Sequence, residues 1–171
     1  ESTNDELMKL GKNGIYEGYS LLSYEQTQGR GRNNKTWFSE KGNIFLSTLL
    51  KPKQQKYVWH QLSLVVAYSV VESLMDLGLN KKIINIKWPN DILINFQKVC
   101  GILIESYDDF VVIGIGLNVN SSPRLKGNKM DSTFLNSFKS FKASDLSKIS
   151  NIILNKFYKN YCTWSNSLLE P

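Results

Sequence analysis

The chain has 171 residues, 42% hydrophobic, 12% aromatic and 21% charged, the size and mix of one domain with a sizeable core rather than of a disordered chain. No stretch carries the roughly 18 to 20 apolar residues that a membrane span needs, and no signal peptide is read at the start, so no membrane partner and a cytoplasmic location are expected. A formal net charge of +6 favours anionic partners, while two distant cysteines and a single histidine leave little for a metal cluster, a disulfide framework or a Ser/His/Asp triad.

The first predicted element is a short helix. Thr3 and Glu6 have the spacing of a capping box, with Leu7, Met8 and Leu10 behind it and Gly11 as a stop. A strand is expected at 19–24 (YSLLSY), then a loop rich in glycine and arginine (QGRGRNNKTWFS, 28–39). A second strand at 43–50 (NIFLSTLL) is ended by Lys51-Pro52. From Tyr57 to Leu77 apolar residues recur at helical spacing, with His60 on the helix surface and Gly78 as a C-terminal cap. Four β-prone runs follow: IINIKW, DILIN, VCGILIES and FVVIGIGLNV. The short polar connections NFQK and YDD suit antiparallel hairpins. Residues 120–132 read as a mobile loop, and Ser144 as the cap of a last long helix. The expected architecture is one α+β domain, a mainly antiparallel or mixed sheet with helices packed on one face.

Several clusters could carry chemistry. In the 28–39 loop Arg30 and Arg32 alternate with Gly29 and Gly31, so the backbone can approach a ligand while planar guanidinium forks reach its oxygens. Trp37 adds a flat apolar face. Alone, this loop fits an exposed basic turn, an RNA-binding element or a small-anion pocket. IKWPNDIL (86–93) puts Asp91 near a sheet end, where turn formation would also explain it. KVCGIL (98–103) places Lys98 before a strand whose Gly101 leaves room above the sheet. Such a lysine is either solvated or reaches a ligand as a point charge. In GIGLNVN (114–120) Gly114 and Gly116 either clear one face of a strand or serve packing and a bulge. Together the clusters describe a glycine-cleared floor rimmed by Arg30, Arg32, Lys98 and Asp91.

The segments STN at 2–4, QTQGRGR at 26–32 with Trp37, KWPND at 87–91, KVCGIL at 98–103 and GIGLNVN at 114–120 stand in the order and at spacings similar to those of the biotin–protein ligases. The chain resembles that family over most of its length. The resemblance implies a catalytic domain related in fold to class II aminoacyl-tRNA synthetases. It also implies two steps: biotin and Mg-ATP give biotinoyl-5′-AMP, and biotin then passes to a lysine of a biotin carboxyl carrier domain. Ser2, Thr3, Asn4 and Gln26 would contact the biotin head, whose ureido group needs both donors and acceptors. Gly29, Gly31, Gly101, Leu103, Gly114 and Gly116 would line its pocket. Arg30, Arg32 and Lys98 would hold carboxylate and phosphate and stabilise charge that develops on the phosphoryl group. Trp37 and Asn118 would meet the nucleotide. Asp91, with Asn118, would help hold Mg²⁺ through oxygen.

As a single catalytic domain over residues 1–171, the chain is expected to lack the helix-turn-helix domain of many family members, and so to bind no DNA. The C-terminal SH3-like domain is expected to be absent or truncated. A homodimer paired through FVVIGIGLNV as an edge strand is plausible on the same resemblance. The rival readings are a lipoate or octanoate ligase or transferase of the same fold and, from another class, an RNA-binding module.

Overall fold

The computed structural model describes residues 1–123 and 131–167. The elements are α1 (Thr3–Lys12), β1 (Ser20–Ser23), β2 (Ile44–Leu50), α2 (Leu62–Asp76), β3 (Ile84–Lys87), β4 (Asp91–Ile94), β5 (Gln97–Tyr107), β6 (Phe110–Leu117) and α3 (Leu146–Ser167). All six strands form one antiparallel sheet in the order β1-β2-β6-β5-β4-β3. FVVIGIGLNV is therefore not an edge strand. β6 is paired on both sides, and the free edges belong to β1 and β3.

The two faces of the sheet differ because successive side chains point in opposite directions. Ile44, Leu46 and Leu50 of β2 and Val111, Ile113, Ile115 and Leu117 of β6 are buried against α2 and α3. Each fully buried aliphatic side chain of this kind is worth about 1.5–3 kcal/mol. Leu49, Phe110 and Val112 face the other way and pack with Leu7 of α1. The expectation of helices on one face thus describes the two long helices, while α1 lies on the opposite face. On that face the register makes three rows across the sheet: Phe45, Gly116, Gly101 and Asp91; Ser47, Gly114 and Leu103; Leu49, Val112 and Glu105.

Local ends depart from the sequence expectations for identifiable reasons. Ser2, not Thr3, takes the N-cap position of α1 and makes no side-chain cap bond. The Thr3 hydroxyl is spent on Gln26, and Glu6 pairs with Lys9. Gly11 does not stop α1; a Cβ there would stand 2.6 Å from the Phe110 ring and 2.7 Å from Leu49, so glycine serves close packing. The helix expected from Tyr57 begins as a 3₁₀ stretch, Lys56–Gln61, with His60 exposed on it, before α2 proper. Gly78 follows at φ +87°, as a glycine cap requires. Ser144 is not the cap of the last helix: it lies inside a 3₁₀ turn, Ala143–Asp145, that leads into α3, and the Asp145 carboxylate closes that turn by accepting from the Lys142 backbone N–H at 2.8 Å. Within the stretch read as a mobile loop, residues 124–130 lie outside the described residues.

Cys100 is buried in β5 and burial pushes its thiol pKa up, whereas Cys162 is exposed on α3. A thiol-reactive disulfide reagent at neutral pH is expected to titrate one group in the native protein and two in denaturant. Two native equivalents would show that β5 opens readily.

Candidate active site

Gly116 and Gly101 are neighbours in one row, and what they clear space for is the Trp37 indole. A Cβ on Gly116 would lie 2.5 Å from Trp37 Cε2 and Nε1, and one on Gly101 would lie 2.6 Å from Cζ3. Gly114, one row on, makes room for Asn4: a Cβ there would fall 2.3 Å from Asn4 Oδ1. The glycines thus leave room above the sheet into which side chains of α1 and of the Gly/Arg loop pack, the packing role weighed for GIGLNVN. The bulge weighed for this strand lies instead between β4 and β5, at Ile92 and Leu93.

Lys98 stands at the edge of this floor. Its backbone is held by the neighbouring segment, its N–H donating to Asp131 O at 2.9 Å and its carbonyl accepting from Thr133 N–H at 2.8 Å. Its ammonium lies 2.6 Å from Asp91 Oδ1 and 5.0 Å from the centre of the Trp37 ring. Lysine, carboxylate and indole are therefore one cluster, with a cation over an aromatic face. Trp37 Nε1 and Asn118 Oδ1 are buried without a hydrogen-bond partner. Such groups are costly to leave unpaired, so both are open to a ligand. Asn118 is otherwise fixed, its Nδ2 donating to Thr133 O at 3.1 Å.

The loop that carries Trp37 folds back on itself. Trp37 N–H donates to Gly29 O at 2.9 Å and Gly31 N–H to Lys35 O at 2.7 Å, with Arg30 bridged to Thr36. At Gly29 a Cβ would strike Ser39 Oγ at 2.2 Å and Trp37 O at 2.6 Å, so that glycine is required for close approach. Arg32 is exposed and donates to Asn90 Oδ1 at 3.3 Å. Arg30, by contrast, spends its guanidinium on Asp5 and Glu105, and those carboxylates push its pKa further up. The two arginines are alike in sequence and unlike in surroundings.

Ser2, Thr3 and Gln26 come together beside the start of α1. They help line an open cavity of about 530 Å³, with Leu21, Ser23 and Ser39 around them. Gln26 Oε1 accepts from Thr3 N–H at 2.8 Å and from Thr3 Oγ1 at 3.1 Å, and Gln26 Nε2 donates to Ser39 Oγ at 3.0 Å. Ser47 Oγ lies 2.8 Å from Thr3 Oγ1 and 2.6 Å from Asn4 Oδ1. The predicted residues thus divide into a neutral hydroxyl–amide cluster at this cavity and a cationic cluster around Trp37. Leu103, half-buried, is paired in register with Gly114. Asp5, Ser39, Ser47 and Glu105 were not singled out from sequence. Asp5 was readable only as a first-turn acid, and Glu105 only as a strand residue.

These features can be set beside known proteins. Residues 1–120 match the model of the biotin/lipoate A/B protein ligase family. The chain belongs to that family. Among curated relatives, the bifunctional ligase/repressor BirA of Bacillus subtilis is 39% identical over 129 residues, covering 71% of this chain and 39% of that protein. The biotin–[acetyl-CoA-carboxylase] ligase of Paracoccus denitrificans is 36% identical over 129 residues, 72% of this chain and 53% of the relative. The chain thus spans about half or less of the length of these relatives. The structure of the Aquifex aeolicus biotin protein ligase in complex with biotin and ATP superposes with a TM-score of 0.83 at 30% identity, covering 97% of this chain and 68% of the other. The sheet and helices described above are the family's catalytic fold. No helix among the described residues is long and apolar enough to cross a membrane.

Proposed function

We propose that residues 1–171 are the catalytic domain of an ATP-dependent biotin–protein ligase that acts on a carrier domain of a carboxylase in the cytoplasm. The observation that carries this reading is Lys98, a cation held beside the Trp37 indole over a glycine-cleared floor. The relatives' names and the biotin and ATP bound by the Aquifex aeolicus ligase point the same way.

In this reading a biotin carboxylate oxygen attacks the α-phosphorus of ATP, the bond to the β-phosphate breaks and pyrophosphate leaves. Lys98 and Arg32 bring the two anions together and oppose the charge that builds on the phosphoryl oxygens. The indole of Trp37 walls the site and keeps water from the mixed anhydride. Ser2, Thr3 and Gln26 supply donors and acceptors for the ureido head, with Asn4, Gly29, Gly31 and Gly114 shaping its surroundings. Asn118 Oδ1 and Trp37 Nε1 offer an acceptor and a donor to the adenylate. In the second step an unprotonated lysine amine of the carrier attacks the acyl carbon, the acyl–oxygen bond breaks, AMP leaves and the amine's surplus proton is lost.

A Mg²⁺ ion held by the protein itself does not fit these residues. Asp91, the carboxylate expected to bind it, is engaged by Lys98 at 2.6 Å. Among the described residues no group of three or more acidic, cysteine or histidine side chains could hold a metal. Magnesium that enters on the nucleotide phosphates needs no such cage, since Mg²⁺ keeps water and substrate oxygens as ligands.

The deciding measurement is ATP–pyrophosphate exchange by the full-length protein with biotin or lipoate as the acid. Exchange is expected with biotin and not with lipoate at equal concentration. Exchange driven by lipoate alone would overturn the choice in favour of the lipoate branch of the same family.

A further inference from the structure

The QGRGR motif looks like a double clamp on an anion, but its two arginines stand in different situations. Arg30 Nε donates to Asp5 Oδ2 at 3.1 Å, Nη1 to Glu105 Oε1 at 2.9 Å, and Nη2 to Glu105 Oε2 at 2.9 Å and to Asp5 Oδ1. Four hydrogen bonds therefore occupy a group that has five N–H donors. The triad carries one positive and two negative charges, so a phosphate approaching Arg30 meets a net negative neighbour. Arg30 cannot clamp a ligand anion in this geometry without breaking its own pairs. Arg32 keeps an exposed fork.

The carboxylates come from separate elements. Asp5 sits in the first turn of α1, and Glu105 lies on β5, where Asn4 Nδ2 also donates to it at 3.0 Å. Arg30 joins both to the 29–37 hairpin, which carries Arg32 near its tip and Trp37 at its return. The three side chains are 36%, 33% and 26% exposed for Arg30, Asp5 and Glu105, so solvent weakens the pairs without dissolving them. The planar fork suits the arrangement, because it meets two carboxylates with four N–H bonds in fixed directions, whereas an ammonium has only three donors and no fixed plane.

We propose that Asp5 and Glu105 are positioning residues that act through Arg30 as a two-carboxylate latch, pinning the 29–37 hairpin so that Arg32 and Trp37 stand over the glycine floor. The latch deepens the reading of this site as an adenylate site and rests on it. It sets how long the adenylate is retained by holding Arg32 and Trp37 in place, whereas Asp5 and Glu105 do not touch the reacting atoms.

The test uses the full-length protein and compares D5N, E105Q, D5N/E105Q, R30K and R30Q with R32A. Three quantities are read: tryptic cleavage after Arg32 and Lys35 without ligand, the rate at which preformed biotinoyl-AMP dissociates, and the single-turnover rate at saturating biotin and ATP. Loss of the paired charge-assisted bonds is expected to speed both cleavage and dissociation about tenfold in D5N/E105Q, with the saturated single-turnover rate falling no more than about threefold. R30K is expected to behave like the double variant, because a point charge does not restore the fork. R32A is expected to lose single-turnover rate as well as adenylate retention, with Lys35 no more open to trypsin than in the parent.

The latch is overturned if D5N/E105Q matches the parent in both cleavage and dissociation. It is equally overturned if R30Q loses as much single-turnover rate as R32A while its hairpin stays protected. Should E105Q fail to fold, D5N carries the same readouts from a half-buried position in the first turn of α1. A protein that forms no adenylate from biotin at all would refute the function, and the cleavage rates would still decide the latch.

Discussion

Replacing Lys98 with methionine is expected to lower biotin-dependent ATP–pyrophosphate exchange by about a hundredfold to a thousandfold, the range found when one preorganised charge-stabilising donor is removed. The substitution also strands the Asp91 carboxylate, whose side chain is 15% exposed and lies 2.6 Å from the Lys98 ammonium. An uncompensated carboxylate there costs stability, so K98M alone mixes two effects. The double variant K98M/D91N separates them. A neutral amide needs no cation, and the unfolding midpoint in urea is expected to recover towards that of the parent. Exchange is expected to stay lost. If D91N restored exchange along with stability, Lys98 would be a structural partner of Asp91 and no part of the chemistry.

Gly116→Ala is expected to disturb the site by displacing an indole. The added carbon would stand 2.5 Å from Trp37 Cε2 and Nε1 and 2.8 Å from Cζ2, and the sheet beneath Gly116 is paired on both sides. The ring must therefore move. Overpacking of this kind costs about 1–3 kcal/mol, and a tenfold to hundredfold loss of biotin affinity is expected to accompany it as the wall shifts. A double-mutant cycle with W37A reads the contact directly. Removing the indole is expected to abolish most of the stability cost of G116A, giving a coupling energy of about 1 kcal/mol or more. Additive effects would mean that Trp37 is not seated on Gly116. The affinity, measured by titration calorimetry, is not expected to return in the double variant, since the wall itself is gone.

The elements were legible where local pattern and tertiary packing agree. The runs 43–50, 83–88 and 110–119 hold the strands β2, β3 and β6, the first and last because both of their faces are buried, and Gly78 became a cap because its backbone takes a left-handed φ. Element ends were less legible, since they turn on which polar group is free. Thr3 looks like a capping residue until Gln26 claims its hydroxyl, and Ser144 looks like a cap until the chain enters the last helix through a 3₁₀ turn that contains it. The neighbours that make these choices are distant in sequence or compete within a single turn.

The sequence by itself determined that this chain folds as one α+β domain. It also placed Gly101, Gly114 and Gly116 in strands and grouped a basic loop with Trp37 and Lys98 beside them, because alternation, glycine spacing and motif order are one-dimensional properties. Only the tertiary structure decided that β6 lies inside the sheet, that the cleared face is roofed by an indole, and that Arg30 faces Asp5 and Glu105 while Arg32 faces outward. The physical reason is that an arginine's role is set by the charges within reach of its fork. Glu105 lies 75 positions away along the chain and 2.9 Å away in space.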